Sequence, residues 1–154
     1  MYFNKFVRTV LKNIATLSFI GYLPYAPGTW GSLAAVCFVI VVRPSVSAHL
    51  MLIVGGIAVG VMASHVAERL IGDSDSRHII IDEFMGYLVS VFSLPHSYGY
   101  FIAAFILFRF FDILKPLVIS KLERTLSGGL GVMADDILAG IYTNVIIHIW
   151  IKIF

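Results

Sequence analysis

Charge and cysteine are what this 154-residue sequence has least of: charged residues make up 13% of it, and Cys37 is its single cysteine. Soluble domains carry about 25% charged residues. Together with 59% hydrophobic residues and a mean hydropathy of +0.93, this shortage makes the bilayer the first candidate solvent. One cysteine excludes an internal disulfide framework and any cysteine-rich metal site. A net charge of +2, with basic residues dispersed rather than striped along one face, gives no footing for nucleic acid. A removable signal peptide is not expected either, because Pro24, Pro27 and Trp30 stand where a small-residue cleavage site would be needed. No internal repeat or low-complexity stretch breaks the chain.

What is present is helical patterning. Phe3, Phe6, Val7, Val10, Leu11, Ile14 and Leu17 recur at helical spacing between Phe3 and Phe19, with Asn4, Lys5, Arg8, Lys12 and Asn13 opposite. This pattern predicts an amphipathic helix lying in the membrane interface; the plainer alternative is an amphipathic helix packed on the rest of the domain. Uncharged stretches follow at Pro27–Val42, His49–Ala67, Phe84–Phe108 (split at Pro95 and Gly99) and Ile137–Ile151. Only residues 49–67 approach the roughly 20 residues of a spanning helix. The expected fold is an all-α, multi-helix integral membrane bundle in a single domain, 1–154. Residues 1–24 form its interfacial helix, and residues 25–154 its core, with helical units at 28–43, 48–68, 80–94, 98–116 and 134–152.

Alternating these units across a bilayer puts Arg43, the Pro95–Gly99 turn and Lys152 on one side. The other receives Lys5, Arg8, Lys12, Arg69, Arg77, Arg109, Lys115, Lys121 and Arg124, and is therefore expected to be cytoplasmic. All nine acids fall there too: Glu68, Asp73, Asp75, Asp82, Glu83, Asp112, Glu123, Asp135 and Asp136.

Asp82 and Glu83 open the third unit, Asp112 lies near the end of the fourth, and Asp135 and Asp136 open the fifth. Clustered carboxylates at a membrane boundary need a cation or basic partners to stay ionised. An oxygen-only donor set suits Mg²⁺, Mn²⁺ or Ca²⁺. Adjacent helical residues point about 100° apart, so one acid of each doublet is expected as a ligand and its neighbour as a base or supporting group. Asp at a helix N-terminus is also an ordinary cap, which would explain single acids but not two doublets plus Asp112. Arg109, Asp112 and Lys115 recur every third residue, a spacing that offers a guanidinium fork and a point charge to a phosphate. An Arg109–Asp112 ion pair with Lys115 snorkelling to headgroups is the simpler reading of those three. Gly128, Gly129 and Gly131 read as a loop before the fifth unit whose N–H groups could approach phosphate, or simply as a turn. Gly86 and Gly140 each lie one turn beyond an acid and suit close helix packing. The Cys37-x₅-Arg43 spacing is no phosphatase loop, since Val39 to Val42 sit inside an apolar helix.

With these residues in place, the sequence resembles the phosphatidylglycerophosphatase A family from about Tyr25 to Tyr142. The motifs are Pro27-Gly28-Thr29-Trp30-Gly31-Ser32, Asp82-Glu83-Phe84-Met85-Gly86, Phe108-Arg109-Phe110-Phe111-Asp112 with Lys115-Pro116, and Gly128 to Asp136 followed by Ala139-Gly140. The resemblance implies a Mg²⁺-dependent phosphatase of the bacterial inner membrane, its site facing the cytoplasm, converting phosphatidylglycerophosphate to phosphatidylglycerol. It implies Asp82, Glu83, Asp112, Asp135 and Asp136 as metal-binding and catalytic acids, and Arg109 and Lys115 at the phosphate. Thr29 and Ser32 are carried as hydroxyl donors to that phosphate. Asp75-Ser76 and Leu117-Val118 depart from the family's usual prolines at those places. A cation or proton transporter is the competing expectation; its acids would sit near the bilayer midplane rather than at helix ends.

Overall fold

A computed structural model describes residues 4–73, 76–115 and 128–154. Asp75, Pro116, Lys121, Glu123 and Arg124 lie outside these, so their expected places are not addressed. The described residues form six α-helices and one short 3₁₀ turn, with no strand among them.

Helix α1, Lys5–Ala15, is capped by Asn4, whose Oδ1 accepts from the Phe6 amide at 3.3 Å. It is shorter than the expected Phe3–Phe19 because Leu17 and Ser18 turn left-handed (φ 44° and 61°) and lead into the 3₁₀ turn Ile20–Tyr22. Leu11 and Ala15 are buried against α3 (Val46–Ile71), while Phe6, Val7 and Val10 stay exposed. Helix α1 thus packs on the domain and keeps a free apolar face.

Helix α2, Pro27–Val42, starts on Pro27, whose fixed φ suits a first turn, and ends at left-handed Arg43. Helix α3 starts on the Ser45 cap and ends at Gly72, with φ +79°. Helix α4, Ile81–Ser90, covers only the first part of the expected unit 80–94. Helix α5 is Tyr98–Leu114 and ends at left-handed Lys115. Helix α6, Gly129–Ile153, begins five residues before the expected unit 134–152. Among the described residues two helices, α3 and α6, are long and apolar enough to cross a membrane. Their outward faces carry Leu50, Met51 and Val54, and Val145 and Ile149.

Helix α4 sits at the centre, touching each of the five other described helices, and packs most extensively on α6. The two run parallel, and glycine sets their separation. A Cβ on Gly140 would collide with the Gly86 carbonyl, and one on Gly86 would lie 2.7 Å from the Asp136 carbonyl. Only hydrogen at both positions permits this approach. The lower end of α4 stops in apolar surroundings, where its carbonyls need donors. Helix α6 supplies them: Asn144 Nδ2 donates to the Ser90 and Phe92 carbonyls at 3.1 and 2.9 Å. Tyr87, fully buried, donates its hydroxyl to the Phe101 carbonyl at 3.0 Å and ties α4 to α5.

Gly140→Ala is expected to force the two helices apart and cost about 1–3 kcal/mol of stability. Gly55→Ala, where a Cβ meets nothing within 4 Å, should be neutral or mildly stabilising. Thermal unfolding of both variants in detergent checks the contrast; equal shifts would contradict the packing argument.

Candidate active site

Helices α2, α4 and α6 begin at the end of the bundle where α3 and α5 finish, and the acids collect below this rim. Residues 76–80 re-enter the bundle without helical structure, with Ser76, Ile79 and Ile80 buried. Backbone at that depth survives only if protein satisfies its polar groups. Here the Ile79 amide donates to Ser76 O at 2.8 Å and the Ile80 amide to Ala15 O, at the end of α1, at 2.9 Å. His78 Nδ1 lies 2.8 Å from the Gly21 carbonyl, and its ring stacks on Tyr22 at 4.8 Å. The segment delivers Asp82 and Glu83 into the first turn of α4, deep in the structure, where the positive end of the helix dipole favours them.

Asp135 and Asp136 do not open their helix, contrary to expectation. Asp136 is the eighth residue of α6, about 10 Å below its start, and no acid lies in the first turn. Capping therefore does not account for these two. The Gly86–Gly140 crossing sets Asp82 beside Asp136, each one turn above its glycine. One oxygen from each of Asp82, Glu83 and Asp136 falls within 4.8 Å of the others.

The remaining two acids have cationic partners. Arg109 Nη1 lies 2.5 Å from Asp112 Oδ2, and Lys115 Nζ donates to Asp135 Oδ2 at 2.6 Å. The expected three-residue face on α5 is thus broken: Lys115 leaves the helix in a left-handed conformation and reaches across to α6. Asp112 nevertheless stays electrostatically close to both Glu83 and Asp136. Five carboxylates meet two cations, and the three left over are the three whose oxygens converge. Asp82 Oδ1, Glu83 Oε2 and Asp136 Oδ2 are buried with no hydrogen-bond partner among the described residues. Buried ionised oxygens without a partner cost several kcal/mol apiece. An all-carboxylate set of this span fits a hard divalent cation, with neither thiolate nor imidazole in it.

Gly28 completes the site, and it was not among the expected residues. It lies in the first turn of α2, where a Cβ would collide with Glu83 Oε1 and lie 3.3 Å from Arg109 Nη1. The motif around it was visible in the sequence, but its hydroxyls drew the attention. Ser32 is fully buried and donates to the Gly28 carbonyl at 3.0 Å, so it has no hydroxyl proton to offer a phosphate. Thr29 is half-buried at the rim, and its hydroxyl makes no hydrogen bond among the described residues. Gly128 and Gly129 are not a free loop. Gly128 is the N-cap of α6 and Gly129 its first residue, packed so tightly on α3 that a Cβ would meet the Val61 carbonyl. That close approach by itself requires a glycine at 129.

A helical bundle with two membrane-length helices, holding buried carboxylates flanked by arginine and lysine below one rim, has the make-up of a membrane-embedded hydrolase of phosphate esters. Residues 13–151 match the family model for Phosphatidylglycerophosphatase A, and the chain belongs to that family. It is 37% identical over 138 residues to a putative phosphatidylinositol-3-phosphatase of Bacteroides thetaiotaomicron, covering 84% of this chain and 86% of the relative. Identity to the phosphatidylglycerophosphatase A of Haemophilus influenzae is 34%, over 82% of this chain and 80% of the relative. The Escherichia coli protein of that name is 35% identical, over 83% and 76%. No solved structure matches. Family and relatives agree on a lipid phosphatase, and none points to transport.

Gly28→Ala is expected to push Glu83 and Arg109 out of place and lower phosphatase activity by about 10- to 100-fold, the cost of displacing catalytic groups by around an ångström. Its thermal midpoint should stay near that of the wild type. Full activity would remove Gly28 from the site.

Proposed function

We propose that this protein is a Mg²⁺-dependent phosphatase that removes the terminal phosphate of phosphatidylglycerophosphate at the cytoplasmic face of the bacterial inner membrane. One observation carries the reading: Asp82, Glu83 and Asp136 converge while the other two acids of the cluster are engaged by Arg109 and Lys115. Asp82, Glu83 and Asp136 would hold the ion, so both acids of the first doublet would serve it, where their roughly 100° separation on a helix predicts one of the two. Mg²⁺, when bound, would neutralise phosphate charge and acidify a coordinated water for attack on phosphorus. Asp112 and Asp135 act as positioning residues rather than ligands. Asp112 holds the Arg109 guanidinium by charge, and Arg109 Nε and Nη1, neither hydrogen-bonded among the described residues, would be the donors to a phosphate oxygen. Lys115 supplies a second positive charge at the mouth, held by Asp135. Charge developing on the phosphoryl oxygens thus meets donors already in place.

Depth supports a substrate at the membrane surface. A helix of 26 residues such as α3 is about 39 Å long, roughly 9 Å more than the hydrocarbon core. If the rim projects by that excess, the carboxylates below it fall near the hydrocarbon boundary, where a lipid headgroup meets them. The basic residues Lys5, Arg8, Lys12, Arg69 and Arg77 around the rim favour the cytoplasmic side.

The test is phosphate release from phosphatidylglycerophosphate by purified protein, with Mg²⁺ and then with chelator; phosphatidylinositol 3-phosphate runs alongside because of the name of one relative. Release should require the ion and favour the glycerol headgroup. Asp82→Asn and Asp136→Asn should each reduce it at least about 100-fold, more than loss of a group behind a ligand costs. Release that survives chelation, or that survives both substitutions, would overturn the reading. For sidedness, Asp73→Cys in a Cys37→Ser background should resist a membrane-impermeant maleimide in intact cells and react once they are opened; Asp73 is exposed beside the end of α3.

A further inference from the structure

Helices α5 and α6 form a second feature that the phosphate chemistry leaves unused. A cleft of about 420 Å³ runs down their outer seam, lined by Tyr100, Ala103 and Leu107 of α5 and Ile146, Ile147 and Trp150 of α6, with Ser97 and Gly99 at its foot. Its walls are overwhelmingly apolar. We propose that this cleft binds an acyl chain of the lipid substrate; the proposal rests on the phosphatase reading and adds to it how the lipid is held.

The argument is one of order along the seam. At the top, α5 and α6 contribute Arg109, Asp112, Asp135 and Asp136. Next comes Phe111 of α5, edge-on to Tyr142 of α6 with ring centroids 5.9 Å apart. The cleft follows, opening at Leu107, about 8 Å along the helix from Asp112, and extending about 12 Å further to Gly99. A phospholipid has the same order at comparable intervals: phosphomonoester, polar glycerol region, hydrocarbon. The Tyr142 ring, apolar in body with a hydroxyl at its tip, stands where ester groups would pass. The small side chain of Ala103 keeps the middle of the cleft open, between bulkier Tyr100 and Leu107 one turn away on either side. Gly99 and Ser97 leave the lower end open in the same way. A second copy of this chain is the other occupant such a seam could have. Continuity with the acid cluster along the same two helices favours the lipid chain.

Ala103→Trp fills the cleft without touching the acids. Its KM for a dioleoyl substrate in mixed micelles, at fixed surface mole fraction, should rise about tenfold, the equivalent of roughly ten lost carbon–carbon packing contacts, since the chain lies in hydrocarbon either way and the cleft offers it only fit. Turnover of the deacylated headgroup, which carries the same phosphomonoester and no chains, should be unchanged. Ile102→Trp, one residue away on the exposed face, should alter neither. No change for the dioleoyl lipid, or an equal loss on both substrates, overturns the proposal. So does a change of oligomeric state in Ala103→Trp, which would give the cleft to a second copy. Wild-type protein inert toward both substrates would instead defeat the phosphatase reading. The cleft is then decided by photo-crosslinking with a phospholipid bearing a diazirine acyl chain: adducts within residues 99–107 and 146–150 support it, and their absence sinks it.

Discussion

Buried carboxylates repel, and everything around Asp82, Glu83 and Asp136 is arranged so that they stay together regardless. Left alone, three such groups in a low-dielectric interior would drive their helices apart or take up protons. The fold resists by contact that cannot be relaxed. With no Cβ at Gly86 or Gly140, backbone meets backbone directly beneath the acids, and the crossing fixes how far apart Asp82 and Asp136 can be. Two of the five acids are paired with Arg109 and Lys115, which tempers the repulsion around the three whose oxygens converge.

The same constraint explains why the chain interrupts a membrane-depth segment. A helix that started at the rim would carry its first-turn acids there, out among solvent. By running residues 76–80 inward without helical structure, the chain lowers the N-terminus of α4, and its dipole, to the level of Asp136. The cost is a stretch of backbone with no helical partners, met by the carbonyls of Ala15 and Ser76 and steadied by the Gly21–His78 contact. The N-terminal helix therefore does more than pack on the domain, since its last carbonyl holds the residue two places before Asp82.

Much of this could be read in advance, for physical reasons that also mark where reading stops. Charge-free runs located the helices, because hydrocarbon excludes charge. Alternation of those helices then gathered the acids at one end. Hydropathy cannot see a helix stop within apolar surroundings, so the end of α4 at Ser90 was hidden; the carbonyls it leaves there are taken up by Asn144, more than fifty residues away. Glycine's poor helix propensity made Gly128 to Gly131 look like a loop, yet close packing of Gly129 on Val61 overrides propensity and starts α6 early. Ser32 looked like a donor because a hydroxyl is conspicuous in a sequence, whereas a buried helical serine commonly bonds back to the carbonyl four residues earlier, as this one does. The decisive residue there was Gly28, whose contribution is an absence of atoms.

Asn144 has a consequence beyond closing off a helix. It anchors the foot of α4 to α6, while the paired glycines hold the middle and the acids sit at the top, so the two helices are joined at three heights along one face. Bilayers differ in thickness, and helices answer by tilting. Two parallel helices fastened along their length tilt as one strut, and the gap between donors mounted on that strut does not change with the angle. Residues contributed by α2 and α5 enjoy no such insulation. The spacing of the converging carboxylates is in this sense uncoupled from the membrane's mechanics, while the surfaces that meet the lipid are left free to follow them.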